Sequence, residues 1–228
     1  MNNVSQNLNA HKSENDYIPA LKYNWLTTFY DLVLRWLLRE STFKNQLITQ
    51  AAIEPGHKAL DVGCGTATLT LLAKTRHPEA DITGLDGDAN ILRIAQKKAA
   101  KSGLEITLEE GMSFSLSYPP HSFDRVISSL FFHHLTRENK IRTLKEIFRI
   151  LHPGGELHIA DWGKPNNGLM RFAFFFVQLL DGFATTTDNV KGLLPEFIRK
   201  AGFGFVLEVT QFQTIFGSLS LYKAKKIV

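Results

Sequence analysis

Between Tyr23 and Leu38 the apolar residues Trp25, Leu26, Phe29, Leu32, Val33, Trp36 and Leu37 recur at helical intervals, and a second helical stretch is predicted from about Phe43 to Ala52. At Pro55-Gly56 the period changes. Lys58-Ala59-Leu60-Asp61-Val62 reads as a short strand, followed by a glycine-rich turn and a helix from about Ala67 to Lys74. The alternation then repeats as strand Ile82 to Leu85, helix Ala89 to Lys101 ended by Gly103, strand Ile106 to Glu109, strand Arg125 to Ser128, helix Arg137 to Leu151 and strand Glu156 to Ala160. Strands alternating with helices in this way predict a doubly wound parallel α/β sheet. After Asp161 the pattern predicts an aromatic-rich helical segment and a helix around Pro195 to Ala201. Two further strands, Phe205 to Thr210 and Ile215 to Lys223, lie close enough in sequence to pair antiparallel.

Composition narrows the class. With 228 residues, 44% hydrophobic and 21% charged, the chain has the make-up of one globular domain, which excludes collagenous, coiled-coil and wholly disordered proteins. Cys64 is the only cysteine, so an internal disulfide and a cysteine-based zinc site are excluded, and a cytoplasmic address is expected. No metal site is expected. The net charge of +4 comes from scattered Lys and Arg, so nucleic acid is a weak prospect as partner. Residues 1–16 are polar, lack the apolar core of a secretory signal, and are expected to be a mobile tail. The longest apolar stretch, Leu169 to Phe183, is broken by Arg171, Gln178 and Asp181 and falls short of the roughly 20 residues that span a bilayer.

The segment from Ala59 through Leu69 carries the clearest chemistry. A strand bearing an acid, then small residues at alternate positions, then a helix makes a backbone floor on which a ligand can lie close. A dinucleotide fingerprint would want Gly or Ala where Thr68 stands, and an acid at Asp61 has no role in gripping a pyrophosphate. The set Asp61, Gly63, Gly65, Ala67 instead suits a ligand with a cationic amine. One strand later, Gly84-Leu85-Asp86-Gly87-Asp88 places an acid where it can accept from both hydroxyls of a ribose.

With Phe123-Asp124-Arg125-Val126-Ile127-Ser128-Ser129 and Leu151-His152-Pro153-Gly154-Gly155-Glu156-Leu157, these residues resemble the class I S-adenosylmethionine-dependent methyltransferases from about Leu60 to Asp161. Tyr30-Asp31 and Ala201-Gly202-Phe203 look like the small-molecule branch that includes ubiquinone and menaquinone biosynthesis enzymes. The resemblance implies a Rossmann-like seven-stranded sheet with an antiparallel terminal pair, and S-adenosylmethionine as cofactor. It implies that Asp61, Gly63, Gly65 and Ala67 hold the methionine part, Asp86 with Gly87 the ribose, and Gly111-Met112-Ser113 the adenine. Ser128 counts among the cofactor-binding residues, and Cys64 as a small packing residue beside them. The chain departs from the family at Ala67, where a third glycine is usual, and at Met112, where an acid often reads the adenine amine; Met112 can pack on the ring through its thioether.

Residues 17–228 then form a single methyltransferase domain: helices over 17–54, the cofactor-binding core over 55–161, substrate-cover helices over 162–203 and the strand pair over 204–228. His133, after the fourth strand, and Asp161, at the end of the fifth, are the candidate catalytic residues at the rim where such sheets place substrate. Each has a structural alternative: His133 as a loop hydrogen-bonder, Leu169 to Phe183 as ordinary core. As a cover, that segment fits a small, apolar acceptor and weak peripheral membrane contact. A nucleic-acid methyltransferase is disfavoured because Ser128-Ser129-Leu130-Phe131 replaces the Asn- or Asp-Pro-Pro-aromatic signature. A non-catalytic cofactor-binding module is the other alternative.

Overall fold

The computed structural model describes residues 40–165, 171, 175, 178, 182–214 and 217–227. Helix α1 (Glu40–Ala51) precedes strand β1 (Lys58–Val62), helix α2 (Thr68–Arg76), β2 (Asp81–Asp86), α3 (Ala89–Ser102), β3 (Thr107–Glu110) and β4 (Phe123–Ser129). A short 3-10 turn (Phe132–His134), α4 (Arg137–Ile150) and the long strand β5 (Leu151–Trp162) follow, then α5 (Phe183–Val190), α6 (Leu194–Lys200), β6 (Gly204–Thr214) and β7 (Gly217–Lys225). The predicted helix over Tyr23 to Leu38, the tail over 1–16 and most of Leu169 to Phe183 lie outside the described residues.

All strands join one seven-stranded sheet in the order β3-β2-β1-β4-β5-β7-β6, parallel except at β7, which runs antiparallel to both neighbours. This is the doubly wound sheet with an antiparallel terminal pair. The order reverses between β1 and β4, so the crevice for a ligand opens at the carboxyl ends of those strands.

The central strands β1, β4, β5 and β7 are largely buried on both faces, which explains why they read as apolar runs rather than as alternating patterns. Leu60, Val62, Val126, Leu157 and Ile159 pack with Leu144 and Ile147 of α4 and Phe197 and Ile198 of α6. Ala59, Ile82, Ile127 and Ala160 point the other way, onto Phe43, Leu47 and Ile48 of α1 and Leu69 and Ala73 of α2.

Local chemistry sets the helix ends. Asp88 caps α3 by accepting from the amides of Asn90 (2.8 Å) and Ile91 (3.4 Å), and Gly103 ends the helix in the left-handed conformation. The helix expected from Ala67 starts at Thr68, because Ala67 is itself left-handed (φ 59°). Strand β5 begins at Leu151, five residues before the expected Glu156: a bulge between Phe123 and Arg125 lets Leu151 pair with Phe123, so Pro153-Gly154 interrupts the ladder without ending the strand.

Candidate functional site

The turn after β1 is built from residues with positive φ at alternate positions: Gly63 (70°), Gly65 (55°) and Ala67 (59°). A side chain in this region costs roughly 1–2 kcal/mol, so Ala67 carries a strain that glycine would not. At Gly63 the requirement is doubled, since a Cβ there would lie 2.2 Å from the Phe131 ring. At Gly65 a Cβ would meet nothing within 4 Å among the described residues, so the floor of the turn is open there. Cys64 packs inward instead, 3.0 Å from where a Cβ on Gly84 would sit, and burial pushes its thiol far above the ordinary range; it is an inert packing group.

Asp61 sits inside β1, fully buried. Its Oδ2 accepts from the Thr70 hydroxyl at 2.7 Å, while Oδ1 is buried with no hydrogen-bond partner among the described residues. Burial raises its pKa to about 6, against the lowering effect of Thr70. The nearby Lys44 charge and the Thr70 hydroxyl do not offset the burial, and an ammonium group against Oδ1 would supply the missing donor and further charge.

Asp86 ends β2. Its Oδ2 accepts from the Gly65 amide (2.8 Å) and its Oδ1 from the Asp88 amide (3.0 Å), tying the turn to the neighbouring strand. Burial pushes its carboxyl up, opposed by those amides. A carboxylate oxygen has more than one acceptor position, so both remain able to receive ribose hydroxyls. Gly87 follows in the same turn, and the Gly111 amide donates to the Asp86 carbonyl (3.0 Å), which brings the 111–113 turn beside it. Met112 is half-buried there. The Ser113 hydroxyl is bonded to Thr143 of α4 at 2.9 Å, so any polar readout at this turn falls to backbone groups. Ser128 likewise faces protein: its hydroxyl donates to the Val62 carbonyl (2.8 Å) and fixes the strand end from which the glycine turn departs.

Asp61, Gly63, Gly65, Ala67, Asp86 and Gly111 are therefore brought to one crevice. The free Oδ1 of Asp61, the open floor at Gly65 and the acid at the next strand end fit an aminoacyl-bearing nucleoside such as S-adenosylmethionine.

His133 and Asp161 meet at the carboxyl ends of β4 and β5. His133 Nδ1 lies 2.8 Å from Asp161 Oδ1, and the His133 amide donates to Oδ2 at 3.3 Å. Both residues are buried. Burial alone would raise the Asp161 carboxyl; the adjacent His133 imidazole and the hydrogen bonds from His133 and Trp162 outweigh it and hold the group below the usual carboxylate range. An ionised carboxylate only accepts, so Nδ1 of His133 is the protonated nitrogen that faces Asp161. The neighbouring His134 ring, with its centroid 4.0 Å from that of His133, is pushed down to about 3 by burial and by His133, and stays neutral.

Helix α5, which the sequence pattern did not separate from the preceding segment, closes this end. Asn189 touches Asp161 and Trp162, Asp188 pairs with Arg137, and the buried Lys140 donates to the Thr185 carbonyl. Burial lowers the Lys140 ammonium to about 8, opposed by Asp188 and Asp161. A run of Thr, Asp and Asn in a short helix resembles an exposed face; only packing reveals it as buried.

Comparison with known proteins agrees with this geometry. Residues 59–155 match the family described as Methyltransferase domain. The chain is 34% identical over 158 residues to a demethylmenaquinone methyltransferase of Symbiobacterium thermophilum, a match covering 66% of this chain and 62%, less than two thirds, of that relative. It is 31% identical over 177 residues to the demethylmenaquinone methyltransferase of Thermus thermophilus, covering 75% of this chain and 80% of that protein. A SAM-dependent methyltransferase from Methanosarcina mazei shares the fold with a TM-score of 0.65 at 20% identity, over 79% of this chain and 97% of the other. On these matches the chain belongs to the class I S-adenosylmethionine-dependent methyltransferases, among relatives of the quinone-biosynthesis type.

Proposed function

We propose that this protein methylates a ring carbon of a small, apolar quinol, with His133 as the base and Asp161 as its partner. The observation that carries the reading is the buried His133–Asp161 pair, 2.8 Å apart at the carboxyl ends of β4 and β5. The relatives' names support a quinone-like acceptor.

S-adenosylmethionine, when bound, supplies a methyl group on a cationic sulfur that leaves readily. Asp61, Asp86 and the 63–67 turn hold the cofactor; aligning it with the acceptor is the larger part of the task. A neutral ring carbon is a poor nucleophile, so a base is needed. Nε2 of His133 takes the proton of a quinol hydroxyl, and the electron pair left on oxygen is delocalised onto the adjacent ring carbon, which forms the new carbon–carbon bond. Asp161 stabilises the imidazolium through Nδ1–H without taking its proton. The ring then gives up the hydrogen at the methylated carbon as a proton to solvent, and its oxygen takes back a proton from the His133 imidazolium, which restores the aromatic quinol and the base. No described helix is long and apolar enough to cross a membrane.

The test is turnover of a reduced 1,4-naphthoquinol lacking the ring methyl, in detergent under anaerobic conditions, followed by mass spectrometry of the quinone. Wild type should add one methyl to carbon. His133→Gln and Asp161→Asn should lower kcat by about 10²- to 10⁴-fold with the cofactor Kd within twofold. Absence of turnover on naphtho- and benzoquinols, or full activity in both variants, would overturn the proposal.

A further inference from the structure

We propose that Asn189 is a positioning residue for this reaction, fixing the Asp161 carboxylate and through it the ring of His133; the inference rests on reading the His133–Asp161 pair as the base. Asn189 lies buried in the last turn of α5. Its Nδ2 donates to the Trp162 carbonyl (3.1 Å) and to Asp161 Oδ1 (3.4 Å). Both partners can only accept, so the amide cannot be reversed, and its own Oδ1 is left buried without a hydrogen-bond partner among the described residues.

That unsatisfied oxygen argues against a packing role. A branched apolar side chain would occupy the place without stranding a polar atom, so what the position gains from asparagine is its donor end. Oδ1 of Asp161 receives the Trp162 amide (2.7 Å), His133 Nδ1 (2.8 Å) and Asn189 Nδ2. The first of these comes from the neighbouring residue in the same strand and the second from the group being positioned. Asn189 adds a side-chain contact from α5, beside the His133 backbone amide on Oδ2 (3.3 Å). Helix α5 is itself held to α4 by the Arg137–Asp188 pair and by Lys140 on the Thr185 carbonyl, so the amide is presented from a fixed support. The carboxylate is thereby kept from rotating about its Cβ–Cγ bond, and the imidazole that follows it keeps one orientation.

The experiment uses the full chain with Asn189→Leu and Asn189→Asp. Proton NMR of the wild type should show a downfield Nδ1–H resonance from His133, assigned by its loss in His133→Gln, and this resonance should shift or vanish in both Asn189 variants. With a quinol acceptor, kcat should fall about 10- to 100-fold while the acceptor KM and the cofactor Kd stay within about threefold. In an Asp161→Asn background, Asn189→Leu should cost nothing further, since the residue acts through Asp161. An unchanged resonance with kcat within twofold of wild type, or additive losses in the double variant, would overturn the proposal. So would failure of both Asn189 variants to fold while Asp161→Asn folds. The resonance requires no acceptor: a wild type inactive on every quinol would refute the proposed function, and the NMR comparison would still decide the role of Asn189.

Discussion

Replacing Asp61 by Asn should make the unliganded protein more stable and its hold on the cofactor weaker. Burial raises the Asp61 pKa from 3.8 to about 6 despite the Thr70 hydroxyl, so at neutral pH the ionised carboxyl costs the unliganded fold about 3 kcal/mol. The folded value lies above the unfolded one, so the fold favours the protonated acid. The cost is therefore absent below pH 3.8, grows as the pH rises to about 6 and is complete above that. Asparagine keeps an oxygen for Thr70 and places a neutral amide where Oδ1 now stands without a partner. That amide is also unsatisfied, so the net gain should be about 1–3 kcal/mol, or roughly 3–10 °C in Tm at about pH 8, shrinking to nothing near pH 4. Binding moves in the opposite sense. Losing a charge-assisted hydrogen bond to an ammonium group costs about 1.5–3 kcal/mol, roughly a 10- to 150-fold rise in Kd. Scanning calorimetry across this pH range and isothermal titration with S-adenosylmethionine or S-adenosylhomocysteine measure both quantities. An Asp61→Asn protein that is no more stable at about pH 8, or that binds the cofactor with unchanged affinity, would refute the argument that Asp61 is held ready for an ammonium donor.

The two glycines of the turn should respond differently to alanine. Gly63→Ala combines left-handed strain with a 2.2 Å clash on Phe131 and should cost roughly 2–5 kcal/mol in urea unfolding, whereas Gly65→Ala meets nothing within 4 Å and should cost only about 1–2 kcal/mol while still weakening cofactor binding. His134, with a pKa pushed down to about 3 from 6.5, binds its proton only on unfolding, so it contributes stability that is full above pH 6.5 and lost as the pH falls toward about 3. His134→Gln should flatten the acid limb of stability, by up to about 1.4 kcal/mol for each pH unit in that window, when urea midpoints are compared in an Asp61→Asn background that removes the opposing contribution.

The strand–turn–helix that carries the candidate cofactor residues was legible in the sequence because it is local. A strand, a turn needing positive φ and a helix are consecutive, so Asp61, Gly63, Gly65 and Ala67 declare themselves by spacing, and Asp86 follows one strand later because adjacent parallel strands end at the same edge. The alternation of elements likewise fixed the class of sheet, since each short apolar run needs a helix on each face to bury it. Other features depended on distant parts of the chain. The start of β5 at Leu151 is set by a bulge opposite Phe123, and the start of α2 by a left-handed Ala67 that alanine propensity does not foretell. Ser113 and Ser128 read as candidate ligands, yet their hydroxyls are taken by Thr143 and Val62 from elements far away in sequence. The pairing of His133 with Asp161 spans 28 residues, and Asn189 lies another 28 beyond Asp161. No period or motif connects such positions, because they are joined by burial that removes water as a competing partner, and only the packed chain determines which polar groups must then satisfy one another.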